Sequence, residues 1–372
     1  MRKPSFCVGV LSWLTAACKG LRRSQQKTLA ELVPAAMNCR RVSLADMGRA
    51  MGGQAQCKSK INRVDRFLGN EGIDVVEGMR GLVWLSAKAT GWHLLVAVDW
   101  VDIRGYKVLR AAVPLRGRSI PIMFAAYYPR KLFKSQNALE EGFLTLLRSF
   151  LPERCQAVII ADRGFARAEL ARKLGELGLD HIIRVGSKVR FESSVYTGLL
   201  KDLEIWPGEH IDLKSGCYRE EAPVRRRVLA YWGRGHEEAW LLGTNLNWGW
   251  RRLTAAFEQR MMIEELFRDE KNLRYGWGLR QLSISSPQRL ERLFLILAFA
   301  YILLLMTGLI CKTTMSPSAW SSNTGSKRSK RPLSAFVVGR IMLTSGLVAF
   351  SVHQLLCTLQ SALSITSTGN RG

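Results

Sequence analysis

Residues 293–310, LFLILAFAYILLLMTGLI, run for eighteen positions without a charge. A helix of that length only just reaches across a hydrocarbon layer of about 30 Å. The same pattern marks a helix buried on every side at the centre of a large domain. A chain carrying it must either cross a bilayer there or wrap the rest of its fold around it. Nothing else in the sequence supports insertion, so the segment reads as a central buried helix. The N-terminus has Arg2 and Lys3 ahead of a mildly apolar run at 6–17. Cys7 and Ser12 interrupt that run, Lys19, Arg22 and Arg23 follow at once, and no A-x-A site is present, so it does not read as a signal peptide.

The remaining 354-odd positions have to build that domain, and their charge narrows its partners. Among 372 residues, Lys and Arg number 55 against 30 for Asp and Glu, a net charge of +25, while 47% of residues are hydrophobic. This combination describes a folded protein with a large positive field, which favours polyphosphate partners over anionic membrane surfaces. Eight cysteines stand without C-x-x-C or Cys/His ligand spacing. This spacing argues against a zinc site and against a disulfide framework, and fits a reducing cytosol. The five histidines show no paired spacing and read as structural.

Three regions follow from the patterning. Residues 1–85 read as a helical DNA-binding domain: 11–19, 26–37 and 43–51 are amphipathic, with Ser43 as an N-cap and Asp46 three residues on. In CKSKINRVDRFLGN, Lys58, Lys60, Arg63 and Arg66 crowd one stretch while Ile61, Val64, Phe67 and Leu68 supply a buried side. Such a helix suits DNA phosphates, although a generic helical bundle has the same pattern. Residues 86–310 read as a catalytic α/β domain. HLLVAVDWVDI, KVLRAAVPL and SIPIMFAAYY predict an antiparallel meander. A helix at 138–150, the apolar strand QAVIIA, a helix at 167–177 and the strand HIIRV then predict β-α-β, giving a mixed sheet. Residues 187–238 are expected to form a β-rich insertion, after which WLLGT returns to the core. Residues 311–372 comprise the basic loop SSNTGSKRSKRP and a C-terminal helical region.

The chemistry concentrates in three carboxylates. Asp99 stands inside the apolar run LLVAVDW, and Asp162 ends another, VIIAD. On a helix over 257–271, FEQRMMIEELFRDEK, residues Phe257, Arg260, Glu264, Arg268 and Lys271 fall within roughly an 80° sector. Met262, Ile263, Leu266 and Leu273 face the other way, toward a core. A solvated charged face would resemble this stripe. Buried carboxylates, however, are costly unless paired or metal-bound, and three together repel one another at neutral pH. Oxygen ligands without His or Cys suit Mg²⁺, with Mn²⁺ as a substitute, and two such ions suit in-line attack at a phosphodiester. Arg260 and Lys271 would then hold substrate phosphates. Asp102 faces away from Asp99 on a regular strand, and Glu265 and Asp269 lie outside the basic stripe.

These residues together resemble a known family. VAVDWVDIR, IIADRGF and the helix pattern F-x2-R-x3-E-x6-K are similar to the DDE transposases of bacterial insertion sequences. Within them, the similarity is to the tyrosine-arginine-glutamate-lysine signature group that includes the transposase of the Tn-ten tetracycline element. It covers residues from about 25 to about 350, and IEELFRDEKNLRYGWGLR and NRVDRFLGN also correspond. The resemblance implies a ribonuclease-H-like catalytic domain with a β-rich insertion, and cut-and-paste transposition through hairpin formation and strand transfer. It implies that Asp99, Asp162 and Glu264 bind Mg²⁺ and that Arg260 and Lys271 contact the terminal DNA; Phe257 and Arg268, on the same stripe, are further DNA-binding candidates. It also implies a homodimer that pairs the two element ends, acting on terminal repeats and target DNA in the cytoplasm at the nucleoid, with no membrane role. Phe257 departs from the signature tyrosine, which raises the alternative of a weakened or inactive copy that only binds ends. Trp232 and Trp240 are candidates to hold a flipped base, with core packing as the competing role.

Overall fold

The structure, a computed structural model, describes residues 3–129, 136–218, 224–320 and 333–368. Five helices lead: α1 (Lys3–Ala17), α2 (Arg23–Asn38), α3 (Leu44–Ala50), α4 (Cys57–Gly69) and α5 (Val75–Ala89). Ser43 caps α3 as its sequence predicts, its hydroxyl accepting the Asp46 N–H at 3.0 Å. The apolar 6–17 run lies inside α1, where Phe6, Val10, Trp13 and Leu14 are buried.

The meander follows as β1 (His93–Ile103), β2 (Tyr106–Leu115) and β3 (Arg118–Tyr127). Arg104 and Gly105 form a two-residue turn with φ of 48° and 82°. Positive φ at both central positions matches the right-handed twist of the flanking strands. Next come α6 (Gln136–Phe150), β4 (Gln156–Ala161), α7 (Ala168–Glu176) and β5 (Asp180–Arg184). β4 and β5 run parallel to β1, which gives the expected mixed α/β layer.

The insertion contributes β6 (Arg190–Glu192), β7 (Thr197–Leu199), β8 (His210–Tyr218) and β9 (Val224–Tyr231), followed by β10 (Trp240–Thr244). Its strands extend the main sheet through β10, in the order β3-β2-β1-β4-β5-β10-β9-β8-β6-β7. Phe191, Leu200, Leu213 and Val228 give it a small core of its own.

The stretch expected to be one helix over 257–271 is two: α8 (Trp250–Glu258) and α9 (Met261–Lys271). At the junction the N–H groups of Arg260, Met262 and Ile263 bond to carbonyls three residues back, a tightened 3₁₀ turn. Leu273, expected in the core, lies beyond the end of α9 and is exposed.

The charge-free run forms most of α10 (Pro287–Thr314), capped by the Ser286 hydroxyl. By length and composition this helix could span a membrane, but 89% of its apolar window is buried inside the protein. α11 (Ala335–Thr344) crosses it at two glycines. A Cβ on Gly308 would lie 1.7 Å from the Ala335 carbonyl oxygen, and one on Gly339 would lie 2.0 Å from that of Leu304. Only glycine permits so close an approach. α12 (Val352–Thr368) also packs on α10, so the C-terminal helical region is two helices. The main core runs without a break from Phe6 to Leu363. The basic loop at 321–332 and residues 219–223 of the insertion lie outside the described residues.

Candidate active site

Strand register brings the first two carboxylates together. β1 and β4 are parallel and neighbouring, with Val98 opposite Ala161. The next residue on each chain is therefore an aspartate, Asp99 on one and Asp162 on the other. The Asp99 carboxylate accepts the Trp100 N–H at 2.8 Å. Oδ1 of Asp162 is buried and has no hydrogen-bond partner, an arrangement that ordinarily carries a penalty.

Glu264 comes in from α9, and Arg260 connects it to Asp99. The Arg260 guanidinium stands 3.1 Å from Glu264 Oε1 and 3.7 Å from Asp99 Oδ2. The 3₁₀ turn at the α8–α9 junction carries Arg260 to this position. Its side chain is only 11% exposed, so it serves the two carboxylates rather than facing outward. Burial pushes the Asp99 carboxyl up to about 6. Arg260 and the Trp100 N–H pull it down, while Glu264 and Asp162 push it up further. The three acidic groups therefore act on one another electrostatically.

Among the described residues, no three His, Cys, Asp or Glu side chains converge closely enough to hold a metal as they stand. Arg260 provides the positive charge between Asp99 and Glu264. The donor chemistry nevertheless fits a hard divalent cation: the three side chains offer oxygen only, two adjoin through strand register, and one buried oxygen lacks a partner.

Two buried networks hold this geometry, and sequence reasoning missed both. Glu140 on α6 is fully buried and accepts the Trp100 indole N–H at 2.8 Å and the Gln136 amide at 3.0 Å. It also pairs with Arg167, which follows the Asp162 turn. Glu140 thus ties the residue after Asp99 to the loop after Asp162. Behind α9, Arg110 pairs with Glu270, and Arg118 pairs with Asp269 and Glu265. The charged Arg110 inside KVLRAAVPL was the available signal, because a charge in an apolar strand requires a partner.

The other candidates are distributed as follows. Phe257 is buried, its ring edge-on to Trp240 at 5.1 Å. Trp240 also stacks on His236 at 4.3 Å, and the Trp232 indole donates to the His236 carbonyl at 3.0 Å. Arg268 is exposed and pairs with Glu265. Lys271 ends α9 and lines the same cavity as Glu264. Asp102 points out and pairs with Lys107. Lys58, Lys60 and Arg63 lie on α4, which packs on α2, α3 and α10 rather than on the carboxylates. Lys58 and Arg63 are exposed, with Arg63 paired to Glu31, and Lys60 is half-buried with its ammonium on the Gly53 carbonyl.

Residues 134–303 match the family model of the transposase DDE domain. The matched stretch is a little under half of the chain; it contains Asp162 and Glu264 and begins after Asp99. The match supports a transposase function, with DNA as the substrate class and the divalent-metal dependence general to such domains. A search of curated proteins finds no match.

Proposed function

We propose that this protein is a metal-dependent DDE transposase that cuts and joins DNA at the ends of an insertion sequence. The observation that carries the reading is the parallel register of β1 and β4, which sets Asp99 beside Asp162 under the helix bearing Glu264. The strand order β3-β2-β1-β4-β5, with the first three antiparallel and the last two parallel to β1, supports a ribonuclease-H-like domain. The preceding helices, including basic α4, would grip duplex DNA through Lys58, Lys60 and Arg63.

Asp99, Asp162 and Glu264 would hold Mg²⁺ or Mn²⁺. Two bound ions would supply activation of water or a 3′-hydroxyl and stabilisation of the leaving oxygen. The protein's own contribution is charge placement. Arg260 neutralises Asp99 and Glu264, and its fork can turn to a phosphate when DNA arrives. Lys271 and Arg268 add positive charge along the same face. Nicking, hairpin formation, hairpin opening and strand transfer can share this one site. A homodimer pairing two ends, and work on DNA in the cytoplasm at the nucleoid without a membrane role, complete the reading.

A second reading is favoured by Phe257, whose buried ring carries no hydroxyl for a phosphate. The protein would then bind element ends without chemistry. Glu264→Gln separates the two. It should abolish Mg²⁺-dependent cleavage of end-bearing DNA while binding survives. Cleavage at the normal rate by this variant would sink the catalytic assignment, and wild-type protein inactive with both Mg²⁺ and Mn²⁺ would favour end binding alone.

A further inference from the structure

We propose that Arg280 binds a nucleic-acid phosphodiester, extending the phosphate-holding role of Lys271 across the open cavity that both share with Glu264. The inference rests on the DNA-processing reading above and adds a substrate subsite that includes a residue outside the helix motif. The cavity has a volume of about 480 Å³, and four cations line it: Arg268, Lys271, Arg274 and Arg280. Among the described residues, Glu264 is the only acidic one on its wall.

The four cations are not equivalent. Arg268 is engaged by Glu265, and the Arg274 guanidinium lies 5.0 Å from the centre of the Tyr275 ring. Among the described residues, none makes a hydrogen bond or ion pair with the Lys271 ammonium or the Arg280 guanidinium. Burial, and next the neighbouring charge of Arg280, push the Lys271 ammonium below its ordinary range, with Asp102 and Glu270 opposing. The cavity wall therefore carries two cations whose charges oppose each other. An anion between them relieves that repulsion, as a cation would among the carboxylates next door.

Both positions are fixed by buried structure. Lys271 follows Glu270, which is locked to Arg110. Arg280 stands in the 3₁₀ turn Leu279–Gln281, entered through Gly278 at φ 69°. Leu279 and Trp277 anchor that turn in the core, the Trp277 indole donating to the Ala36 carbonyl at 3.0 Å. Such preorganisation suits a recurring ligand better than loose surface charge does. Glu264 forms part of the wall, so a strand whose reacting phosphate lies at the carboxylates would run into this cavity with the next phosphates of its backbone. An extended phosphodiester fits an open cavity of this kind; a free phosphate or pyrophosphate is the other source of the same chemistry.

The test is metal-free binding of a short duplex oligonucleotide, read by fluorescence anisotropy across a series of KCl concentrations. Arg280 is exposed, so the fold should tolerate its substitution, and the melting temperature of each variant checks this. Arg280→Gln should weaken binding about tenfold and reduce the slope of log affinity against log salt by about one, the signature of one lost phosphate contact. Arg280→Lys should keep most of the slope. An unchanged slope in folded Arg280→Gln, with wild-type protein binding normally, overturns the subsite and leaves the proposed function standing. Wild-type protein that binds no duplex even at low salt overturns the proposed function itself. Pyrophosphate that raises the wild-type melting temperature but not that of Arg280→Gln, with the DNA slope unchanged, would show a free-anion site and overturn the nucleic-acid assignment.

Discussion

Arg110 and Glu270 form a two-pronged ion pair in the interior, at 3.2 and 2.9 Å, with side chains 1% and 2% exposed. The Arg110 guanidinium also lies 4.3 Å from the centre of the Phe294 ring on α10. Arg110 is the strand partner of Asp99, and Glu270 shares a helix with Glu264, so the pair links the two halves of the carboxylate site. Removing one partner leaves a buried charge alone, at about 3–5 kcal/mol. Arg110→Met should lose about that much stability in urea unfolding, and the double variant Arg110→Met/Glu270→Leu should recover most of it. A single variant within about 1 kcal/mol of wild type would show the pair to be dispensable.

Asp99 makes stability depend on pH. Its carboxyl is raised from 3.8 to about 6 by burial, so between those values the folded protein binds more protons than the unfolded chain. Stability from this group therefore falls as pH rises through that window and stays lower above it. The shift corresponds to a penalty on the order of 3 kcal/mol at neutral pH. Asp99→Asn should melt higher than wild type at pH 7.5, with the difference closing below about pH 4. Mg²⁺ should raise the melting temperature of wild type but not of the variant. Equal melting temperatures at both pH values would contradict the strained carboxylate.

Glu140 joins Trp100, the neighbour of Asp99, to Arg167 in the segment after Asp162. Glu140→Gln keeps an acceptor for the indole but removes the charge that Arg167 requires. Metal-dependent cleavage should drop tenfold or more through kcat, with KM for DNA nearly unchanged, because placement of Asp99 relative to Asp162 is what loosens. A variant that lost only stability, with kcat intact, would reduce Glu140 to a structural residue.

Gly308 and Gly339 let α10 and α11 meet backbone to backbone. Alanine at either position forces the helices apart. Each substitution should cost about 1–3 kcal/mol or more by chemical denaturation, against the slight gain alanine ordinarily brings inside a helix. Unchanged stability in Gly308→Ala would mean that the crossing can open without loss.

Local patterns were legible in the sequence wherever a residue's own neighbours decide its state. The apolar runs 156–161 and 240–244 are strands with those limits, Ser43 caps its helix, and the charge-free run becomes the buried α10. Asp99 and Asp162 stood out because a carboxylate within or directly ending an apolar strand needs a reason. Tertiary structure alone decided which groups meet. The register of Val98 with Ala161 joins the two aspartates, and that register depends on the packing of whole strands. A single 3₁₀ turn splits the expected helix; Arg260 sits between carboxylates and Phe257 against Trp240. Glu140, Arg110 and Arg280 gain their roles from partners between 27 and 160 residues away, or from a shared cavity. Periodicity along the chain tells a side chain which face to take; only the packed molecule determines what is waiting there.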